Sequence, residues 1–332
     1  MMSRNLSANE VATLVEEAES RIRPYILATP LLPATAISRE LGVHVYLKLE
    51  NPQYSGRLFS IIFSLFFSFL VPPSSPALLP SSLLYISDSP PTLPQASAFK
   101  TMGVRGRVVV PVTADPEKKQ KLKDAGADLL EHGRDAAVGE SHARTLAESD
   151  AIPFLSPYND YHVLAGQGTI GMEILQDLAD VGAIFVSVGG GGLVSGIAAY
   201  VKAKRPQCQI VGCSPRRSKV MHESVKAGHI IEEESEDTLS DGTAGGVERE
   251  SVTFPLCRDL VDRWVLVEEE EIAQAVYYCL KQHKKVVEGA AGVALAAVKK
   301  TADFYTGQKV VAVMCGANIS MANLKTIINT YA

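Results

Sequence analysis

Apolar and polar residues alternate in two rhythms along this 332-residue chain, and one stretch follows neither. "VHVYLKLE" (43–50) alternates with a period of two, the mark of a strand. "GRVVVPV" is a β-branched strand, followed by "DPEKKQKLKDAGA", a helix with Pro116 near its start and Gly126 past its end. "ADLLEHG" predicts the next strand and "DAAVGESHARTLAES" the next helix. The exchange continues through "AIFVSVGGGGLVSGIAAYVKAKRP", "QIVGCSP", "RWVLVEEEEIAQAVYYCLKQH" and "KVVAVMCGANIS". Strand-length apolar runs that alternate with helices call for largely parallel sheets covered on both faces, so the expected fold class is α/β. At the amino end, Ser7 and Glu10 form a capping box that opens an amphipathic helix.

Residues 57–95 break the pattern. Phe, Leu, Ser and Pro fill 29 of these 39 positions, and only Arg57 and Asp88 are charged. The most apolar part, Leu58–Val71, has 14 residues, against the roughly 20 that a bilayer span needs. Pro72 and Pro73 then stop any helix. The segment shows neither helical nor alternating period at first and then turns Ser/Pro-rich, so it offers no partner strand and no cap. Pyrimidine-rich DNA encodes just these four residue types, and Pro94-Gln95 is how a C-rich tract ending in CAG translates. We read 57–95 as a retained intron or a gene-model error rather than an evolved insertion, because compact domains seldom carry long structureless loops.

Composition adds limits more than chemistry. The chain is 46% hydrophobic and 21% charged with a net charge of −5, which is globular and gives no pull toward nucleic acid or an anionic membrane. Five cysteines (Cys208, Cys213, Cys257, Cys279, Cys315) form no C-x-x-C pair. They suit reduced thiols in a cytoplasmic protein, without disulfides or zinc. The seven histidines form no H-x-x-x-H pair, and "IEEESED" (231–237) reads as a solvated acidic loop.

The most informative motif is "FVSVGGGGLVSGIAAYVK". A strand runs into Gly189-Gly190-Gly191-Gly192, and a helix opens at about Leu193. Four glycines let successive N–H groups converge beside the positive end of a helix dipole, which makes a phosphate cradle. A dinucleotide fingerprint fails, because the sixth position falls on Val194 or Ser195 and the next strand ends in Cys213-Ser214 rather than an acid. No G-K-[ST] follows either, so a single small phosphate fits better than a nucleotide. Cys315 ends the strand "VVAVMC" ahead of Gly316, at the strand end where open α/β sheets bind ligands. A small buried hydrophobe is the other role open to it. Glu288, at a helix start, is uninformative alone.

At this point a resemblance is plain. "TPLLPATAISRELGVHVYLKLEN", "SPYNDYHVLAGQGTIGMEI", "VGGGGLVSGIA", "TLSDGTAGG", "VVEGAAGVALAA" and "VMCGANIS" resemble the pyridoxal-phosphate enzymes of fold type II, within them the threonine/serine ammonia-lyase and serine racemase group. The resemblance implies two α/β domains with pyridoxal phosphate in the cleft. Residues 1–40 would be an N-terminal helix and lead-in, 41–150 a small domain interrupted by 57–95, and 151–332 the large cofactor-binding domain. It implies that Gly189, Gly190, Gly191, Gly192 and Leu193 hold the phosphate, that Cys315 faces the pyridine nitrogen, and that Glu288 lies near the ring. Metal-binding relatives carry an acid where Ser214 stands, so no metal is expected there. The implied reaction is β-elimination from L-threonine or L-serine, with amino-acid racemisation as the alternative. A small amino-acid substrate and a homo-oligomer follow from the same resemblance. The end at Ala332, soon after the last core helix, favours a catabolic dehydratase or a racemase over a feedback-controlled enzyme.

The family pattern after "KLEN" continues to Ser-Phe-Lys, whose lysine joins the cofactor and moves the α-proton, and later to a Ser-(Ser/Thr)-Gly-Asn-His loop. Here Gly56 is followed by Arg57-Leu-Phe-Ser, no such loop occurs, and the next lysine is Lys100. Its sequel "TMGVRGRVVVP" reads as a helix end and then a strand, so Lys100 is a weak candidate. Lys48, on the strand before the site, is no better. The catalytic residue is thus unassigned, and the chain is expected to be defective in the family's chemistry. A non-catalytic cofactor-binding protein and, less favoured, a nicotinamide oxidoreductase remain open.

Overall fold

The computed structural model describes residues 5–24, 26–52, 82–86, 105–114, 116–124, 126–134 and 136–332. Two sheets organise them. The larger runs in the order β1 (Leu31–Pro33), β2 (His44–Leu49), β10 (Lys309–Met314), β7 (Ala183–Ser187), β8 (Gln209–Pro215), β9 (Arg263–Val267). The smaller runs β5 (Asp128–Glu131), β4 (Arg105–Val110), β3 (Ser82–Ile86), β6 (Phe154–Leu155). Every neighbouring pair is parallel except β1 with β2. The fold is α/β, as the sequence rhythm requires.

The described helices are α1 (Ala8–Ile22), α2 (Thr35–Leu41), α3 (Pro116–Asp124), α4 (Ala136–Asp150), α5 (Tyr161–Asp177), α6 (Gly192–Lys204), α7 (Val220–Ala227), α8 (Thr253–Leu260), α9 (Glu269–Tyr278), α10 (Gly289–Thr301) and α11 (Met321–Tyr331). The capping box forms: the Ser7 side chain accepts from the Glu10 N–H, and the Glu10 carboxylate accepts from the Ser7 N–H at 2.9 Å. The strand pleat divides the large core between two helical layers. Ile184 and Val186 of β7 join α1, α5 and α6 on one face, whereas Ala183 and Phe185 join α9 and α10 on the other.

Sheet membership moves two expected boundaries. β2, assigned by sequence to the small domain, pairs with β1 and β10 in the large sheet. Val45 and Leu47–Leu49 are buried there, as befits an interior strand, while His44 at its start is exposed. β6, expected in the large domain, closes the small sheet beside β3. A third correction concerns 57–95, which we expected to offer no partner strand. Ser82–Ile86 is a strand between β4 and β6. Parallel pairing draws on backbone groups that every residue carries, and "SLLYI" is rich enough in β-formers to accept it. The rest of 57–95, and Lys100, lie outside the described residues.

A buried ion cluster ties α1, β2 and α5 together. Lys48 is fully buried, donates to the Thr29 carbonyl at 2.7 Å and pairs with Glu173. Glu173 also accepts from Arg23 at 2.6 Å, and Glu50 lies 3.9 Å from the Lys48 ammonium. Neighbouring carboxylates raise the Arg23 guanidinium's affinity for its proton, Glu19 most strongly, against the opposing cost of burial.

Candidate active site

The glycine loop leaves the carboxyl end of β7 and enters α6, so convergent N–H groups and a helix N-terminus meet at one point. Gly191 has φ 88°, a left-handed conformation that L side chains resist. Gly190 needs its missing side chain for a second reason: a Cβ there would fall 2.4 Å from Cγ of Tyr158. A Cβ on Gly189 would strike the Thr243 backbone at 2.9 Å, and one on Gly191 would strike the Cys257 sulfur at 2.9 Å. From behind, Thr253 Oγ1 donates to the Gly190 carbonyl at 2.7 Å, which turns that peptide's oxygen away toward α8.

Tyr158 has more than a packing part. Its hydroxyl accepts from the Glu248 N–H at 2.9 Å and donates to buried Glu140 at 3.2 Å. The Ser156 hydroxyl donates to the other Glu140 oxygen at 2.9 Å. Arg144, one turn further along α4, donates to Glu248 at 2.8 Å, and its guanidinium stands 4.3 Å from the Phe154 ring centre. Polar contacts therefore run from a helix of the small sheet to Tyr158, whose ring packs against the glycine loop at Gly190.

The other expected site residues sit at the same edge of the large sheet. β10 lies beside β7 and delivers half-buried Cys315 just past its carboxyl end. Glu288 is buried; its N–H donates to the Gly316 carbonyl at 3.0 Å, and its carboxylate accepts from the Asn318 N–H at 3.0 Å. Ser187, the last residue of β7, donates to the Ala290 carbonyl at 2.5 Å and so fastens the start of α10 beside the glycine loop. Residues 238–245 lie across both, with Thr243 against Gly189 and the Leu239 carbonyl against Gly289. Gly189, Gly190, Gly191, Gly192, Leu193, Glu288 and Cys315 are thus brought to one edge. Lys48 pairs in register with Val313 near the same edge, but its ammonium is committed to the buried ion cluster. Ser214 donates to the Val188 carbonyl at 3.1 Å.

The remaining thiols are unlike Cys315. Burial pushes Cys208 up to about 11, Cys257 and Cys279 up to about 12, and Cys213 still further up. Burial thus keeps all four as thiols at neutral pH.

Residues 95–316 match the family model described as pyridoxal-phosphate dependent enzyme. The chain belongs to that family. Its cofactor is therefore pyridoxal phosphate, and its fold is the type II α/β architecture of its structural neighbours. It is 36% identical over 319 residues to the L-threonine ammonia-lyase of Geobacter sulfurreducens, covering 95% of this chain and 77% of that protein. Among solved structures it is similar to maize serine racemase, with TM-score 0.85, 26% identity and coverage of 96% and 97% of the two chains. It is similar also to processed threonine deaminase isoform 2 of Solanum lycopersicum, with TM-score 0.86, 26% identity and coverage of 100% and 97%. Two observations fit a bound phosphate. Each glycine of the loop packs so closely that a Cβ would strike a neighbour at 2.4–2.9 Å, which keeps the loop to bare backbone, and one buried polar atom beside it, Gln167 Oε1, has no hydrogen-bond partner among the described residues. Sequence reasoning missed Tyr158, Gln167 and Thr253; only "SPYND" and "GQGT" lying inside family-like stretches pointed toward the first two. Among the described residues no helix is long and apolar enough to cross a membrane.

Proposed function

We propose that Gly189–Gly192 and Leu193 hold the cofactor phosphate, with Cys315 and Glu288 beside the ring, and that the inherited activity is β-elimination. The substrate would be L-threonine or L-serine, the products a 2-keto acid and ammonia. The observation that carries this is the glycine loop at the carboxyl edge of β7, in a chain whose relatives include L-threonine ammonia-lyases. When bound, the cofactor supplies an electron sink that makes the substrate's α-proton acidic. The loop's N–H groups and the α6 dipole would balance the phosphate charge and fix the depth of the ring. Glu288 is held in place by the Asn318 N–H. Cys315 places a thiol, not a carboxylate, toward the ring, and so withholds the charge that would favour transamination over elimination. Small domain and large domain would meet around this edge, roughly as the two sheets divide, and the working form would be a cytoplasmic oligomer.

This chain, read as it stands, lacks the family's Ser-Phe-Lys, so the same proposal has it bind the cofactor without turning substrate over. The test is incubation with pyridoxal phosphate and L-threonine or L-serine, following keto acid and bound-cofactor absorbance together. Cofactor uptake without keto acid is expected. Keto-acid production that disappears on Lys100→Ala would show that Lys100 does the work. A racemase reading is supported by the likeness to maize serine racemase. Restoring a Ser-Phe-Lys segment separates the two by product, keto acid and ammonia against the D-amino acid.

A further inference from the structure

Gln167 is 4% exposed, and its Oε1 has no hydrogen-bond partner among the described residues. A buried carboxamide oxygen without a partner is destabilising, so its place calls for a reason. Its position on α5 is set by a tight helix crossing. A Cβ on Gly168 would fall 2.8 Å from the Gly196 carbonyl oxygen, and one on Gly196 only 2.1 Å from that of Leu164. These paired glycines let α5 press against α6 nearly backbone to backbone, and the residue before Gly168 is carried to the first turn of α6. Gln167 Oε1 stands 2.9 Å from the point a Cβ of Gly192 would occupy. The orphaned amide therefore lies against the very residue at which the helix N-terminus opens.

We propose that Gln167 is a positioning residue of the cradle that donates a side-chain N–H to the bound phosphate. The two ends of a carboxamide have the same shape, so a half-turn of the amide presents Nε2 where Oε1 now stands. A phosphate oxygen then satisfies the buried group, and a neutral donor is added to the backbone N–H groups without another positive charge. The inference rests on the cradle reading above and adds a side-chain donor that the glycine motif itself does not contain.

Calorimetric titration with pyridoxal phosphate, inorganic phosphate and pyridoxal tests it, on the full chain and on Gln167→Met, Gln167→Glu and Gly191→Val. Methionine keeps the volume and removes both polar ends. It should weaken pyridoxal phosphate and inorganic phosphate by about ten-fold or more, and pyridoxal by less than about two-fold. Glutamate should weaken the two phosphates further by like-charge repulsion. An idle buried amide gives the opposite signature: Gln167→Met raises Tm and leaves phosphate affinity unchanged, which overturns the proposal. If Gly191→Val abolishes phosphate binding but Gln167→Met does not, only this inference fails. If Gly191→Val changes nothing, or the unaltered chain binds no phosphate, the cradle reading and the inference fail together. Should both Gln167 variants misfold, a crystal of the unaltered chain with inorganic phosphate decides. The carboxamide must lie within about 3.2 Å of a phosphate oxygen, and a longer separation refutes the assignment.

Discussion

The two sheets of this molecule are built from the same elements and held by different means. In the large sheet, strands such as β7 are buried end to end, and helices cover both faces. Besides surface pairs such as Lys309 with Asp180, it encloses Lys48, Glu173 and Glu50, with half-buried Arg23 beside them. In the small sheet, Val108, Val109, Val110 and Leu155 are buried on the described strands, and Ala143 and Ala147 of α4 pack with Val109. Its ion pairs, Arg107 with Asp128 and Asp150, lie at the surface. One of its two inner strands, β3, comes from the Ser/Pro-rich stretch that breaks the sequence pattern. The glycine loop and its neighbours at the candidate site belong to the large sheet, while the Ser/Pro-rich stretch supplies β3 of the small one.

The largest expected effect comes from filling that cradle. Gly190→Val would drive a branched side chain into the Tyr158 ring, which sits 2.4 Å from the Cβ position. Pyridoxal-phosphate affinity should fall at least about a hundred-fold, a cost of about 3 kcal/mol or more. Titration of the purified variant checks this, and undiminished affinity would place the phosphate away from the loop.

How much of this was legible beforehand follows the same division. The glycine loop could be read because strand, glycines and helix are contiguous, and their geometry is local. The β7 and β10 strands could be read for the same reason. Tyr158, Thr253 and Gln167 could not, because they reach the loop only through packing of α5 and α8 against α6, and spacing along the chain says nothing of that. The place of β2 was misjudged because an alternating strand does not announce which sheet it will join. β3 was missed because pairing by backbone hydrogen bonds imposes little on sequence.

Next in size is the buried ion cluster. Lys48→Met removes the ammonium between Glu173 and Glu50 and leaves Arg23 to balance the buried Glu173 carboxylate. A loss of about 3–5 kcal/mol is expected, seen as a lower denaturant midpoint. In the small sheet the matching change, Arg107→Ala, breaks a pair whose arginine side chain is 39% exposed. It should cost at most about 1 kcal/mol, and less in high salt. Equal losses at the two sites would mean that the large sheet is not held from within as described.

Glycines sharpen the contrast further. Gly139 lies in α4, and a Cβ there would meet the His132 carbonyl at 3.5 Å and a Val109 methyl at 3.9 Å, both ordinary contacts. Gly139→Ala should therefore stabilise the small-sheet region by about 0.5–1 kcal/mol through helix propensity. A thermal melt reads the gain, and a loss would show that α4 packs more tightly on β4 than these distances allow.

The smallest effect is a pH dependence confined to the rim of the small sheet. Lys119 donates to Glu131 at 2.8 Å and holds that carboxyl below the usual carboxylate range, with a smaller opposing push from desolvation. A carboxyl whose folded pKa is depressed binds its proton more readily when unfolded. Its contribution is therefore complete above the ordinary glutamate pKa and is lost as pH falls through the lower, folded value. Because Glu131 is fully exposed, the change should be slight and should fade with added salt. Glu131→Gln is predicted to flatten the acid limb of the stability profile a little, while stability at neutral pH stays close to that of the parent. Denaturant midpoints measured from neutral to acid pH in the two proteins carry the comparison. An acid limb as steep in the variant as in the parent would assign the acid sensitivity to other carboxylates.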